Sequence, residues 1–483
     1  MSGPQPSQPD EVNLYQTPTR WARYPLTAFD GSFERSTFLT GWLVKGVIDT
    51  KTLSHALRRL TEKWRVLAGR LESVEGTKNW QIAVPLSVLP ERYRTFVLTE
   101  TTSDVPLSNY ISLPLPAVSD SLPQSLFLHA STPRQNLDWV TRDNPLTCWH
   151  VTHFPSRSAS EPAYSCVGFA RSHGVFDGIG AATVMKALVA EMRGNEWKVP
   201  LLPPEGHNPN PIIELLNRAA PSIEGVEVPY SPLGLKGSLW LVGWHLRERY
   251  WRGATHQIFV MPQECISLVV EPVKGDIRTI SPDLVVTTGD VLVAWFLKVL
   301  YASGTAAETV VHCSNFANFR DLIQQAGGKS LDDYPHNAFL PLPYPTLTVQ
   351  TINSTPLPEL TQQLCASRHS LSLSHVAAAH HIMTTSKLTM PVHQAAQDTL
   401  VISNVSASRI FETDWSPVSS EGTICSYRFS ATPNNLVFGN GVYISGRLSD
   451  GSTVLDVNLN AVRMENLARA IGELKSRLWV ESV

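Results

Sequence analysis

The residues of this chain best suited to chemistry stand together in His173-Gly174-Val175-Phe176-Asp177-Gly178. A strand-like run, Tyr164 to Ser172, leads into them, and a helix-like run, Ile179 to Arg193, leaves them. A histidine at such a junction leaves the end of a sheet and can face a cleft. There a neutral imidazole, near its ordinary pKa of about 6.5, serves as a general base. Gly174 and Gly178 permit backbone angles that residues with a Cβ resist. Asp177 can turn inward beside a helix start, whose unpaired N–H groups suit a carboxylate, and fix the loop. Two other readings fit the same letters. One is a solvated or structural histidine, since so short a pattern recurs by chance. The other is a nucleotide-binding glycine loop at Gly178-Ile179-Gly180, although Thr183 occupies the place of its third glycine.

The surrounding pattern predicts the elements that position this turn. Thr37 to Ile48 reads as a mostly buried strand, and Asp49 or Thr50 caps a helix with Leu53, Ala56, Leu57, Leu60 and Trp64 on one face. Residues 101–135 are rich in proline and serine and read as an irregular surface excursion. Cys148 to Phe154 and Tyr164 to Ser172 form a hairpin whose second strand delivers His173. From Gly194 to about Ser238 little is regular beyond a helical run at Ile212 to Arg218, which suits a connector. Beyond it, Glu264 to Val270 reads as a strand stopped by Pro272, and Thr287, Thr288 or Gly289 caps a helix through Leu300. Val310 to Asn315 and Thr399 to Ser406 read as strands, Pro358 to Thr385 as one helix, and Met464 to Leu478 as the last helix. Val437 to Ile444 and Val454 to Leu459 pair around a turn at Ser449-Asp450-Gly451. Strands and helices mix in both halves without a repeat. This predicts an α/β protein of two sandwiches: residues 1–194, a crossover at 195–238, and 239–483.

Composition narrows the function. The length of 483 residues suits two domains, and 43% apolar with 17% charged residues describes a soluble globular protein. A net charge of −3 with both signs interspersed argues against nucleic acid or an anionic membrane as partner. The longest apolar stretch, Val291 to Ala302, is too short to span a bilayer, and the start has no basic-then-apolar signal. Residues 1 to about 12 read as a mobile tail. Six scattered cysteines without a CxxC pair read as buried thiols, so the expected location is cytoplasmic. His369, His375, His380 and His381 have no HExxH or carboxylate partner, so no metal is expected; no GxSxG elbow supports a serine hydrolase.

HGVFDG at 173–178 resembles the HxxxDG signature of the chloramphenicol-acetyltransferase-like superfamily. That group includes the BAHD acyltransferases, fungal O-acyltransferases of secondary metabolism and the condensation domains of peptide synthetases. The strand, helix and Leu67-Ala68-Gly69-Arg70-Leu71 return resemble a BAHD opening, and TTGDVLVAWF at 287–296 is similar to the group's second-half helix. NFANFR at 315–320, YPHNA at 334–338 and ISNVS at 402–406 follow in the same order. The plant DFGWG motif is replaced by Thr413-Asp414-Trp415-Ser416-Pro417, which fits the divergent fungal branch.

The resemblance implies two chloramphenicol-acetyltransferase-like α/β sandwich domains with the active site in a channel at their interface. It implies acyl transfer, chiefly acetyl, from acyl-CoA to a hydroxyl of a hydrophobic terpenoid or polyketide. His173 would take the acceptor's proton directly, without an acyl-enzyme. Asp177 could orient the histidine; the resemblance favours instead a brace paired with Arg320, with Gly178 packing the turn on its helix. Ser403 is a candidate oxyanion donor. Acyl-CoA would be a co-substrate and no cofactor would be tightly held; the partners are that thioester and a small-molecule alcohol, and the chain is expected to be a monomer. Two alternatives remain: a condensation-like transferase using a carrier-protein thioester, which the lack of a fused carrier segment disfavours, and a non-catalytic pathway protein, which intact His173 and Asp177 oppose.

Overall fold

A computed structural model describes residues 20–481 apart from 78, 157, 159, 160, 220–222, 233, 328, 329, 387, 388 and 434–438. The expected tail at 1–12 lies outside the described residues. Among them, two large sheets organise the chain. The first is five-stranded, in the spatial order Gly422–Ala431, Thr37–Lys45, Tyr164–Ser172, Thr147–Phe154, Val97–Thr102. The second is eight-stranded; its centre runs Val310–Asn318, Asp398–Asn404, Gly441–Arg447, Thr453–Leu459, Thr255–Met261.

Each sheet borrows a strand from the other end of the chain. Gly422–Ala431 pairs antiparallel with Thr37–Lys45, and Val118–Asp120 pairs antiparallel with Thr255–Met261. Chain connections therefore cross between the lobes on both sides of residues 195–238. That crossover is itself packed: the helix Pro211–Ala219 buries Ile212, Leu215 and Leu216 with Phe29, Phe319 and Val376 in a third core.

Local signals explain the elements near the motif. Asp49 accepts from Lys51 N and Thr52 N and starts the helix Thr50–Lys63, whose buried residues include Leu53, Ala56, Leu57 and Leu60. The hairpin Thr147–Phe154 and Tyr164–Ser172 pairs antiparallel, as its pattern predicted. Asp177 caps the helix Gly178–Arg193, which ends at Gly194 in the left-handed region (φ 69°). Thr287 and Asp290 form a reciprocal capping box on Thr288–Leu300.

Three sequence expectations are corrected. Residues 101–135 are not a surface excursion, since Phe127 is fully buried against the first sheet. Facing Gly41 and Gly168 make room for it: a Cβ at Gly168 would stand 1.8 Å from the Phe127 carbonyl oxygen. Glu264 to Val270 is not a strand but part of the helix Gln263–Ile280; Cys265, Ile266, Val269, Val270, Val273 and Ile277 recur at helical spacing, and Pro272 lies on the exposed face. Residues 358–385 are two helices, Leu357–His369 and Leu373–Thr385, separated where Ser372 and His375 cap the second. All six cysteines are buried and free. Among the described residues, no helix is long and apolar enough to cross a membrane.

Candidate active site

The turn after Tyr164–Ser172 opens on a cavity of about 1620 Å³ at the seam between the two sheets. Phe38, Arg171 and His173 line it from one side, and Phe316, Ser403 and Tyr443 from the other. Arg428, on the borrowed strand Gly422–Ala431, ties the seam: its backbone N–H donates to Asp456 of the second sheet (3.3 Å).

His173 is held at both main-chain ends. Its N–H donates to the Ser36 carbonyl (2.9 Å), and its own carbonyl accepts from Asn337 Nδ2 (2.7 Å). The ring stacks on Phe33 (4.1 Å between centroids) and meets Phe38 edge-on (4.2 Å). Nδ1 stands 3.2 Å from the Phe176 carbonyl oxygen. That oxygen can only accept, so Nδ1 carries the proton of the neutral ring and Nε2 keeps its lone pair. Burial pushes the imidazole down to about 3, and the fields of Arg428 and Arg171 act in the same direction. The expectation of an ordinary pKa near 6.5 is thus corrected: the ring is neutral at pH 7 but is a much weaker base before substrates arrive.

Asp177 faces away from the imidazole. One carboxylate oxygen accepts from Gly180 N (2.7 Å) and Arg320 Nη2 (3.1 Å), the other from Arg320 Nη1 (2.8 Å) and Ala338 N (3.1 Å). Arg320 Nη2 also donates to the carbonyls of Tyr334 (3.0 Å) and His336 (2.7 Å). The structure therefore brings His173, Asp177, Gly178 and Arg320 into one unit. Gly178 lies against Val405, where a Cβ would approach to 3.3 Å. The tighter requirement is at Gly180, where a Cβ would stand 1.9 Å from the Pro335 carbonyl oxygen. Ser403 lines the cavity beside Tyr443, its partner across the parallel strands.

No family model matches the chain. Acetyltransferase adrJ of Penicillium rubens is 25% identical over 457 residues, covering 90% of this chain and 86% of that protein. O-acyltransferase pboC of Aspergillus ustus is 24% identical over 403 residues, covering 78% and 80%. The fold is similar to that of TRI101 from F. sporotrichioides, solved with coenzyme A and T-2, at a TM-score of 0.61, 14% identity and 92% and 96% coverage. It is also similar to vinorine synthase, at a TM-score of 0.51, 12% identity and 95% and 93% coverage. The chain is an acyltransferase, similar along most of its length to these fungal proteins and alike in fold to TRI101 and vinorine synthase.

In this acyltransferase the sequence left several contributors unnamed. Asn337 joins His173 to Asp30: its N–H and Nδ2 both donate to Asp30 Oδ1 (2.9 and 2.8 Å). Burial pushes the Asp30 carboxyl up to about 6, against the opposing pull of hydrogen bonds from Thr27 and Asn337. His336, also buried, donates Nδ1–H to the Val175 carbonyl (2.9 Å), and burial lowers its pKa to about 4. The YPHNA stretch entered only through the resemblance; its asparagine holds the motif backbone. Phe33, Phe38, Arg171 and Arg428 carried no spacing signal, because the strand pairings that bring them together are not local. Trp415 of the segment replacing DFGWG packs edge-on against Trp42 (5.1 Å), and the neighbouring Asp414 pairs with Arg193.

Proposed function

We propose that this acyltransferase moves an acyl group, chiefly acetyl, from acyl-CoA to a hydroxyl of a hydrophobic natural product, a terpenoid or polyketide. The observation that carries this reading is His173, a buried neutral imidazole on the cavity wall whose Nδ1 is committed to Phe176 and whose Nε2 is free. The names and bound ligands of the similar fungal proteins support the donor and acceptor classes.

The acceptor hydroxyl donates to Nε2, and its oxygen attacks the thioester carbonyl as that proton moves to the ring. The C–O bond forms, the carbonyl electrons go to oxygen, and the resulting oxyanion is met by a donor, for which Ser403 is our candidate. The intermediate collapses, the C–S bond breaks, and the imidazolium returns its proton to the leaving thiolate. Asp177 does not orient the base in this scheme; its four N–H partners make it, with Arg320, a brace of the turn. Gly178 serves the same packing.

The test incubates the full chain with acetyl-CoA and a panel of hydroxylated terpenoids and polyketides, following free thiol and product mass. His173→Ala should lower the rate about 10²–10⁴-fold, the usual contribution of a positioned base. Equal rates in both proteins, or a trapped acylated side chain, would overturn the mechanism.

A further inference from the structure

Two cations in the cavity wall form no ion pair among the described residues, and feel a carboxylate only at a distance, Arg171 that of Asp177 and Arg428 that of Asp456. Arg171 is 2% exposed; its Nη1 donates to Thr40 Oγ1 (3.1 Å) and the Phe169 carbonyl (3.3 Å), while its buried Nε has no partner. The Arg428 guanidinium lies between the rings of Phe38 (4.4 Å) and Tyr443 (4.1 Å), and its buried Nη1 has no partner either. The other buried arginines differ: Arg70 is paired with Asp143, Arg320 with Asp177, and Arg463 with Asp398. Among the described residues neither Arg171 nor Arg428 forms an ion pair. Asp456 faces the same cavity, but its carboxylate accepts from His256 Nε2 (2.7 Å) and from the Arg428 main chain. Burial disfavours both charges, bringing Arg171 down to about 9 and lowering Arg428. A buried cation without a counterion is costly, and an arriving anion removes that cost.

We propose that Arg171 and Arg428 form a carboxylate subsite beside His173, so that one of the two substrates carries a carboxylate a few bonds from its reacting atom. The proximity follows from Phe38. The His173 ring meets it at 4.2 Å and the Arg428 guanidinium at 4.4 Å, so the base and the cation share one aromatic neighbour. A guanidinium presents parallel N–H donors that match a carboxylate. The phosphates of CoA do not suit this place, because the long pantetheine arm keeps them far from the sulfur. Two sources of the carboxylate fit: a dicarboxylic acyl thioester as donor, or a hydroxy acid as acceptor. Either anion would offset the fields of both arginines at His173, restoring basicity when the substrate is in place. The inference rests on the reading of His173 as the base at this cavity.

The test reads binding, not turnover, by calorimetry on the wild-type chain with each ligand alone. One arm compares malonyl-CoA with acetyl-CoA; the other compares 3-hydroxydodecanoate with its methyl ester. In one arm the acid should bind at least about tenfold more tightly than its uncharged counterpart, as charged hydrogen bonds allow. Arg428→Met, or Arg171→Met if the first fails to fold, should reduce that preference to within about twofold. No preference in either arm, or a preference that survives both substitutions, would overturn the subsite. Loss of activity in His173→Ala bears on the transfer mechanism alone and leaves these affinities readable.

Discussion

The two sides of the motif turn are built in opposite ways. On the Asp177 side the carboxylate takes four N–H groups, and its cation, Arg320, holds two further carbonyls across the seam. On the His173 side the imidazole is walled by Phe33 and Phe38 and faced by two arginines that form no ion pair among the described residues. The first side spends its polar groups on one another and fixes the backbone. The second keeps a lone pair, and by our proposal two cations, for molecules that are not yet there. Only three residues lie between the ring that reacts and the charge that stabilises the turn.

The largest effect that would break this contrast is on the braced side. Arg320→Ala leaves Asp177 buried without its cation, which typically costs about 3–5 kcal/mol. Chemical denaturation should show that loss, and any protein that stays folded should bind acyl-CoA normally. A variant that melts like wild type with slowed turnover would instead make the pair part of the chemistry. Asn337→Ala is smaller. It removes one bond to Asp30 and leaves the His173 carbonyl unmet, for about 1–3 kcal/mol. Because that carbonyl belongs to the base's own residue, the rate should fall beyond what the lost folded fraction explains; single-turnover kinetics at saturating folded protein would show it.

How much of this was legible follows the range of the interactions. The His173–Gly178 turn, the Asp49 and Thr287 caps and the hairpin leading into the turn are set by neighbours within a few residues, and the letters reveal them. The pairing of Asp177 with Arg320 came only through family resemblance, since nothing local connects positions 143 residues apart. Phe127 was misjudged because proline and serine dominate its segment, while the notch that receives it is made by two glycines on other strands. The strand expected at Glu264 to Val270 failed because β-branched residues satisfy either period, and helical burial prevailed over propensity. Arg428 was invisible as a site residue. It reaches His173 only because its strand pairs with Thr37–Lys45, a choice made by the fold as a whole.

Acid separates the two sides most finely. His336 belongs to the brace and is held down to about 4, against about 6.5 in the unfolded chain. Its folded pKa is the lower one, so the unfolded state binds the proton more readily. The stability it contributes is complete above about pH 6.5 and is lost as pH falls toward 4, at about 1.4 kcal/mol per pH unit. Asp30 opposes this, since its folded pKa, raised to about 6, adds stability as pH falls through the same window. Comparing His336→Gln with wild type cancels the Asp30 contribution and isolates the histidine. The variant's urea-unfolding free energy between pH 6.5 and 4.5 should fall less steeply by about 1.4 kcal/mol per unit. Its pH–rate profile should keep the wild-type shape, because the substitution lies in the brace and leaves His173, the base, and its neighbours Phe33 and Phe38 in place. Equal slopes would mean that His336 gains protons as easily folded as unfolded, and that the brace is open to water.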